Sequence, residues 1–114
     1  MATKITSTYV RPNTGVEFPK VSDYNSDYDT WRRQYFTDNS VDIAFNLSGD
    51  ELTLIAEIEF ADEAAYQAWV TARDSDGRNT TAGASVKSDA QSRGITLKIE
   101  KTDDAGNTTT LHNI

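Results

Sequence analysis

The chain has 114 residues and no cysteine, and its 11 Lys and Arg stand against 18 Asp and Glu, a formal net charge of -7. That length suits a single domain over 1–114, and the missing cysteine removes disulfides, thiolate metal sites and thiol catalysis. Phosphate backbones are gripped by clustered Lys and Arg, whereas Arg32-Arg33 is the only adjacent basic pair here, so no nucleic-acid partner is expected.

Lys4 to Arg11 is a Thr-rich strand candidate. Ser22 to Phe36 reads as a helix with Ser22 as N-cap, Asp23, Asp27 and Asp29 in its first half, and Arg32 and Arg33 in its second. Charges so placed oppose the helix dipole. Tyr24, Tyr28, Trp31 and Tyr35 recur at i, i+4, i+7 and i+11, one helical stripe. Such a stripe is either core or the lining of a ligand or partner surface. Asp38-Asn39 can end the helix with Asn in the left-handed conformation.

A hairpin follows. Val41, Ile43, Phe45 and Leu47 alternate with polar or small residues, and so do Leu52, Leu54, Ala56, Ile58 and Phe60. Period two puts each apolar set on one face. Gly49-Asp50 suits a two-residue type II′ turn, which would set Leu47 against Leu52, Phe45 against Leu54 and Asp42 against Glu57. Asp62 then caps a helix to about Asp74, with Ala65, Tyr66, Trp69, Val70 and Arg73 on one face. Ser75 to Arg93 is polar and long for a loop, which admits a short helix near Ser85 to Ser92. Ile95, Leu97 and Ile99 alternate in another strand. Asp104-Ala105-Gly106 suits a three-residue hairpin with Gly left-handed, which pairs Ile99 with Leu111 in a last strand over 107–112.

The order is β-α-β-β-α-β with one extra C-terminal strand, and it resembles the ferredoxin-like, split βαβ arrangement. This implies an α+β fold with two helices on one face of an antiparallel sheet. The helices would cover Ile43, Phe45, Leu54 and Ile58. The other face would carry Asp42, Asn46, Thr53, Ile55, Glu57, Glu59, Lys98 and Glu100. RNA-recognition domains share this strand order but stack bases on aromatics of the open face. Thr53, Ile55 and Glu57 occupy those positions here.

The segment Ile58-Glu59-Phe60-Ala61-Asp62-Glu63-Ala64-Ala65-Tyr66-Gln67-Ala68-Trp69 resembles the strand-to-helix junction of dimeric α/β-barrel proteins, such as the antibiotic-biosynthesis monooxygenase-like and stress-responsive families. That resemblance implies a homodimer with two sheets face to face, binding or oxidising a small apolar molecule. The acidic face departs from it, because buried carboxylates need partners. Asp42 opposite Glu57 is itself a like-charge conflict. Solvation, a lysine from a neighbouring strand, a hard cation or a basic protein partner could each relieve it.

Other motifs are weaker. Asp74-Ser75-Asp76-Gly77-Arg78-Asn79 is similar to a calcium loop, but its Gly is fourth where the EF-hand pattern has it sixth. His112 is the only histidine and stands near the C-terminus on an expected edge strand, so no triad is indicated. No phosphate loop, GxSxG or HExxH occurs. No apolar run approaches the roughly 18 residues of a membrane helix, and the opening residues form no apolar signal segment, so no membrane association is expected and the expected location is cytoplasmic. Ser-Thr-Tyr-Val-Arg-Pro-Asn-Thr-Gly-Val-Glu-Phe-Pro near the start is similar in flavour to small proteins of marine tailed bacteriophages, which implies a virion-assembly or host-directed role. The sequence therefore predicts a non-enzymatic interaction module without a cofactor. Asp42, Glu57, Glu59 and Glu100 are the candidate partner-binding face, or else an edge strand serves by strand addition.

Overall fold

The computed structural model describes residues 2–76 and 78–114, and the side chains of all of these except 78–81. Five strands, β1 (Thr3–Val10), β2 (Asp42–Leu47), β3 (Thr53–Phe60), β4 (Thr96–Thr102) and β5 (Thr108–Asn113), form one antiparallel sheet in the order β2-β3-β1-β4-β5. Three helices, α1 (Ser26–Asp38), α2 (Glu63–Ser75) and α3 (Arg78–Ser92), connect them. Among the described residues the fold is α+β with three α-helices, two of them the helices expected to cover the sheet. The third extends the short helix expected near 85–92 back to Arg78.

Strand β1 lies at the centre and pairs with both β3 and β4. The chain is thus two interleaved β-α-β units: β3 is inserted between β1 and β2, and β1 between β3 and β4. The register puts Ile5, Ile58 and Ile43 in one row on the helix side, with Ser7, Ala56 and Phe45 in the next.

Helix α1 starts later than expected. Val21–Asp23 form one 3-10 turn, and the cap is Asn25, whose Oδ1 accepts from the Tyr28 amide at 3.0 Å. Ser22 therefore lies inside the preceding turn and makes no cap. The helix ends at Asp38, where Asn39 has φ -109 and Ser40 takes the left-handed conformation with φ 55. In α2 the expected cap is present, with Asp62 Oδ1 accepting from Ala65 N at 2.8 Å.

The β2–β3 hairpin is shifted by two residues from the expected register. Ser48 and Thr53 close a four-residue loop, so Leu47 faces Leu54, Phe45 faces Ala56 and Asp42 faces Glu59. Asp50 Oδ1 accepts from Ser48 Oγ at 2.6 Å and from Leu52 N at 3.0 Å, while Glu51 sits at φ 62. These bonds hold the longer loop, and they keep the Asp50 carboxyl below its ordinary range. A shift of two preserves the faces, because side chains alternate with period two. In the last hairpin Gly106 has φ 89, as expected, and Asp103 Oδ1 accepts from Ala105 N and Asn107 N. A bulge at Ile99/Glu100 pairs Ile99 with His112 in place of Leu111.

The core has two parts. Phe36, Val41, Phe60, Tyr66 and Trp69 form an aromatic cluster under α1 and α2. Ala82, Val86 and Ala90 of α3 are buried, as are Ile95 and Leu97. The helices do not cover β2. All six of its residues are exposed, Ile43 at 39% and Phe45 at 61%, which corrects the expectation that both would lie in the core. Three helices lean toward β3, β1 and β4 and leave the edge strand bare.

Candidate functional site

Three regions carry chemistry: the helix-free sheet face, the β2 edge, and a cavity between sheet and helices. The first follows from strand alternation. Asp42 on β2, Glu57 and Glu59 on β3, Lys4 on β1, and Lys98 and Glu100 on β4 occupy positions that share the face away from the helices. The conflict of Asp42 with a glutamate is real but involves Glu59. Lys4 Nζ stands 3.4 Å from Glu57 and 3.9 Å from Glu59, and Lys98 Nζ stands 3.6 Å from Glu100. These pairs are well exposed, and exposed pairs contribute at most about 1 kcal/mol. Asp42 has no ion-pair partner among the described residues. Also among the described residues, no three acids or histidines converge as a metal site. The calcium-like turn runs through Gly77 and the side chains of Arg78 and Asn79, which lie outside the described residues.

The second region is the outer edge of β2. Its register to β3 is continuous from Asp42 to Leu47, with no bulge. Its sequence, Asp-Ile-Ala-Phe-Asn-Leu, contains neither Pro nor Lys, the residues that usually blunt an edge against further pairing. Ile43, Phe45 and Leu47 stand exposed on one side, and Asp42 on the other.

The third region is a cavity of about 650 Å³. Its floor is the apolar helix-side face of the sheet, including Ile5, Ile58, Leu97 and Ile99. Its roof is Tyr28 and Arg32 of α1, Tyr66, Trp69 and Arg73 of α2, and Val86 and Lys87 of α3. Tyr9 and His112 reach it from β1 and β5. Burial pushes the Tyr9 and Tyr28 phenols up, and the positive charge of Arg32 acts against it at both. Burial and the charge of Lys87 push the His112 imidazole down.

The aromatic stripe divides between these roles. Tyr28 is buried at the cavity, stacked at 5.7 Å on Trp31, which stacks on Trp69 at 5.7 Å. Tyr35 packs on Trp69 at 5.1 Å. Tyr24 leaves the stripe because it precedes α1, and its hydroxyl donates to Asp89 of α3. Burial and that hydrogen bond push the Tyr24 phenol up to about 12.

In the sequence Arg32 reads as a helix-dipole charge, and nothing marks Lys87. The usable signal was spacing. Arg32 follows Tyr28 by four residues and Arg73 follows Trp69 by four, so each guanidinium shares a helix face with a buried aromatic. Lys87 follows buried Val86 directly. Comparison with protein-family models, with curated proteins and with solved structures finds no match for this chain.

Proposed function

We propose that this chain is a non-enzymatic interaction module that takes an extended segment of a partner protein onto the edge of β2. Its strand order supports a ferredoxin-like reading, extended by α3 and β5. The observation that carries the functional reading is the bare edge: six exposed residues, an unbroken register, and Ile43, Phe45 and Leu47 exposed on one side. An added strand gains backbone hydrogen bonds along β2, and its alternate side chains choose the partner.

The chemistry of that segment follows from the two faces. Apolar residues at every second position meet Ile43, Phe45 and Leu47. Lys or Arg at the intervening positions meets Asp42, with Glu59 directly behind it. The acidic sheet face and the edge strand thus act together as one surface.

A fluorescein-labelled octapeptide of alternating Lys and Val serves as the probe. Anisotropy should show saturable binding that Phe45→Asp and Asp42→Lys each weaken at least about tenfold, a loss of roughly 1.4 kcal/mol. Hydrogen exchange should show new protection in β2. Equal binding of an alternating Glu and Val peptide, or binding without protection in β2, would overturn the reading.

A further inference from the structure

The cavity is chemically unlike the rest of the molecule. The protein carries a net charge of -7, yet the described residues lining this cavity include Arg32, Arg73, Lys87 and His112 and no carboxylate. Its floor and much of its roof are aliphatic or aromatic. Small-molecule sites typically enclose about 300–1,000 Å³, with apolar walls and a few convergent polar groups. A volume of about 650 Å³ falls inside that range.

The fold engages these cations only in part. Arg32 gives one Nη2 hydrogen bond to Asp29 at 2.8 Å, but its Nε is buried with no hydrogen-bond partner. Arg73 reaches Asp74 only at 3.3 Å through its Nε. Lys87 makes no ion pair among the described residues. Arg32 of α1 and Arg73 of α2 line the cavity together with Tyr28, and the Tyr28 phenol feels both guanidiniums as well as the opposing charges of Asp76 and Asp74.

We propose that this cavity binds a single-chain amphiphile with an anionic head group. The head is held at Arg32 and Arg73 beside the Tyr28 hydroxyl. The chain runs over Ile58, Leu97 and Ile99 beneath Trp69. Both arginines offer planar forks that suit a carboxylate or a sulfate, so either head group satisfies the site. The inference is independent of the β2 edge, which lies outside the cavity.

Titration calorimetry of the full chain with decanoate, decyl sulfate, decanol and decylammonium tests it, each kept below its micelle concentration. Both anions should bind at one site and change the Trp fluorescence. Decanol should bind at least about tenfold more weakly, and decylammonium not at all. Arg73→Glu, on a partly exposed helix position, should weaken decanoate at least about tenfold. Val86→Trp, which fills the cavity, should abolish binding. Lys98→Gln, on the opposite sheet face, should leave it unchanged. Circular dichroism monitors folding throughout, and if Val86→Trp unfolds the chain, Arg73→Glu decides alone. Decanol or decylammonium binding as well as decanoate would overturn the proposal, and so would unaltered decanoate affinity in folded Arg73→Glu.

Discussion

Asn25 and Ser22 both belong to residue types that cap helices, and only the chain's path chooses between them. Asn25 has extended backbone, with φ -155, and its side chain accepts from the Tyr28 amide. Ser22 lies within a 3-10 turn instead. Removing an N-cap oxygen costs about 0.5–2 kcal/mol. Asn25→Ala should therefore lower stability by about 1 kcal/mol in urea titrations, while Ser22→Ala should change it by less than about 0.5 kcal/mol. A larger loss from Ser22→Ala would place the helix start where the sequence alone put it. A similar ambiguity governs Asp29, whose place in the first turn of α1 suits the helix dipole. It is buried and accepts from both Arg32 and Arg33 at 2.8 Å, so its larger part is to orient Arg32 at the cavity.

At the scale of elements, the strands were legible because period two survives small errors of position. The hairpin register moved by two residues, and Ile43, Phe45, Leu47, Leu54, Ala56 and Ile58 stayed on one face while Leu52 passed into the loop. Burial was not legible. Phe45 and Phe60 fit the same alternation, yet Phe60 is 0% exposed and Phe45 is 61%. Which strand lies at the edge, and how far three helices reach across the sheet, depends on contacts distant in sequence. The length of α3 was also hidden, since two Thr, three Ser and one Gly, residues with poor helix propensity, are scattered through the 15 residues of Arg78–Ser92. One joint between elements yields a prediction. Lys101 of β4 donates to Glu63 Oε2 at the start of α2 at 2.8 Å and lies 4.6 Å from the Tyr66 ring centre. Lys101, then Gln67, holds the Glu63 carboxyl below its ordinary 4.5. That contribution is complete above 4.5 and is lost as pH falls through the lower folded value. The hydrogen bond to Glu63 also raises Lys101 above its ordinary 10.5. Its contribution is complete below 10.5 and is lost as pH rises through the folded value. Lys101→Met should therefore flatten the stability profile at both limbs. Asp50 and Asp103, also held low by hydrogen bonds, keep a residual acid slope. Urea midpoints at about pH 3, about pH 7 and about pH 11 check this, and unchanged differences between them would show that the pair is inert.

For the whole molecule, the net charge is unevenly distributed, and this decides how two copies can meet. The sheet face away from the helices holds Asp42, Glu57, Glu59 and Glu100 against Lys4 and Lys98, while the cavity beneath the helices is lined by cations. Packing two such faces together, as in a dimeric α/β barrel, would bury eight carboxylates with four lysines, and unpaired buried carboxylates are costly. Pairing two β2 edges keeps the carboxylates in water but still brings two acidic molecules together. The Debye length is about 30 Å at 0.01 M salt and about 3 Å at 1 M. At low salt it is comparable to the molecule's 31 Å middle dimension, so each copy feels most of the other's charge. Sedimentation at about 0.01 M salt should show a 12.6 kDa monomer. Weak association should appear only near 1 M salt, and Phe45→Asp should abolish it, because the remaining attraction is the exposed Ile43, Phe45 and Leu47 row. A dimer already present at low salt and unaffected by Phe45→Asp would mean that the acidic faces meet after all, with partners for their carboxylates supplied across the interface.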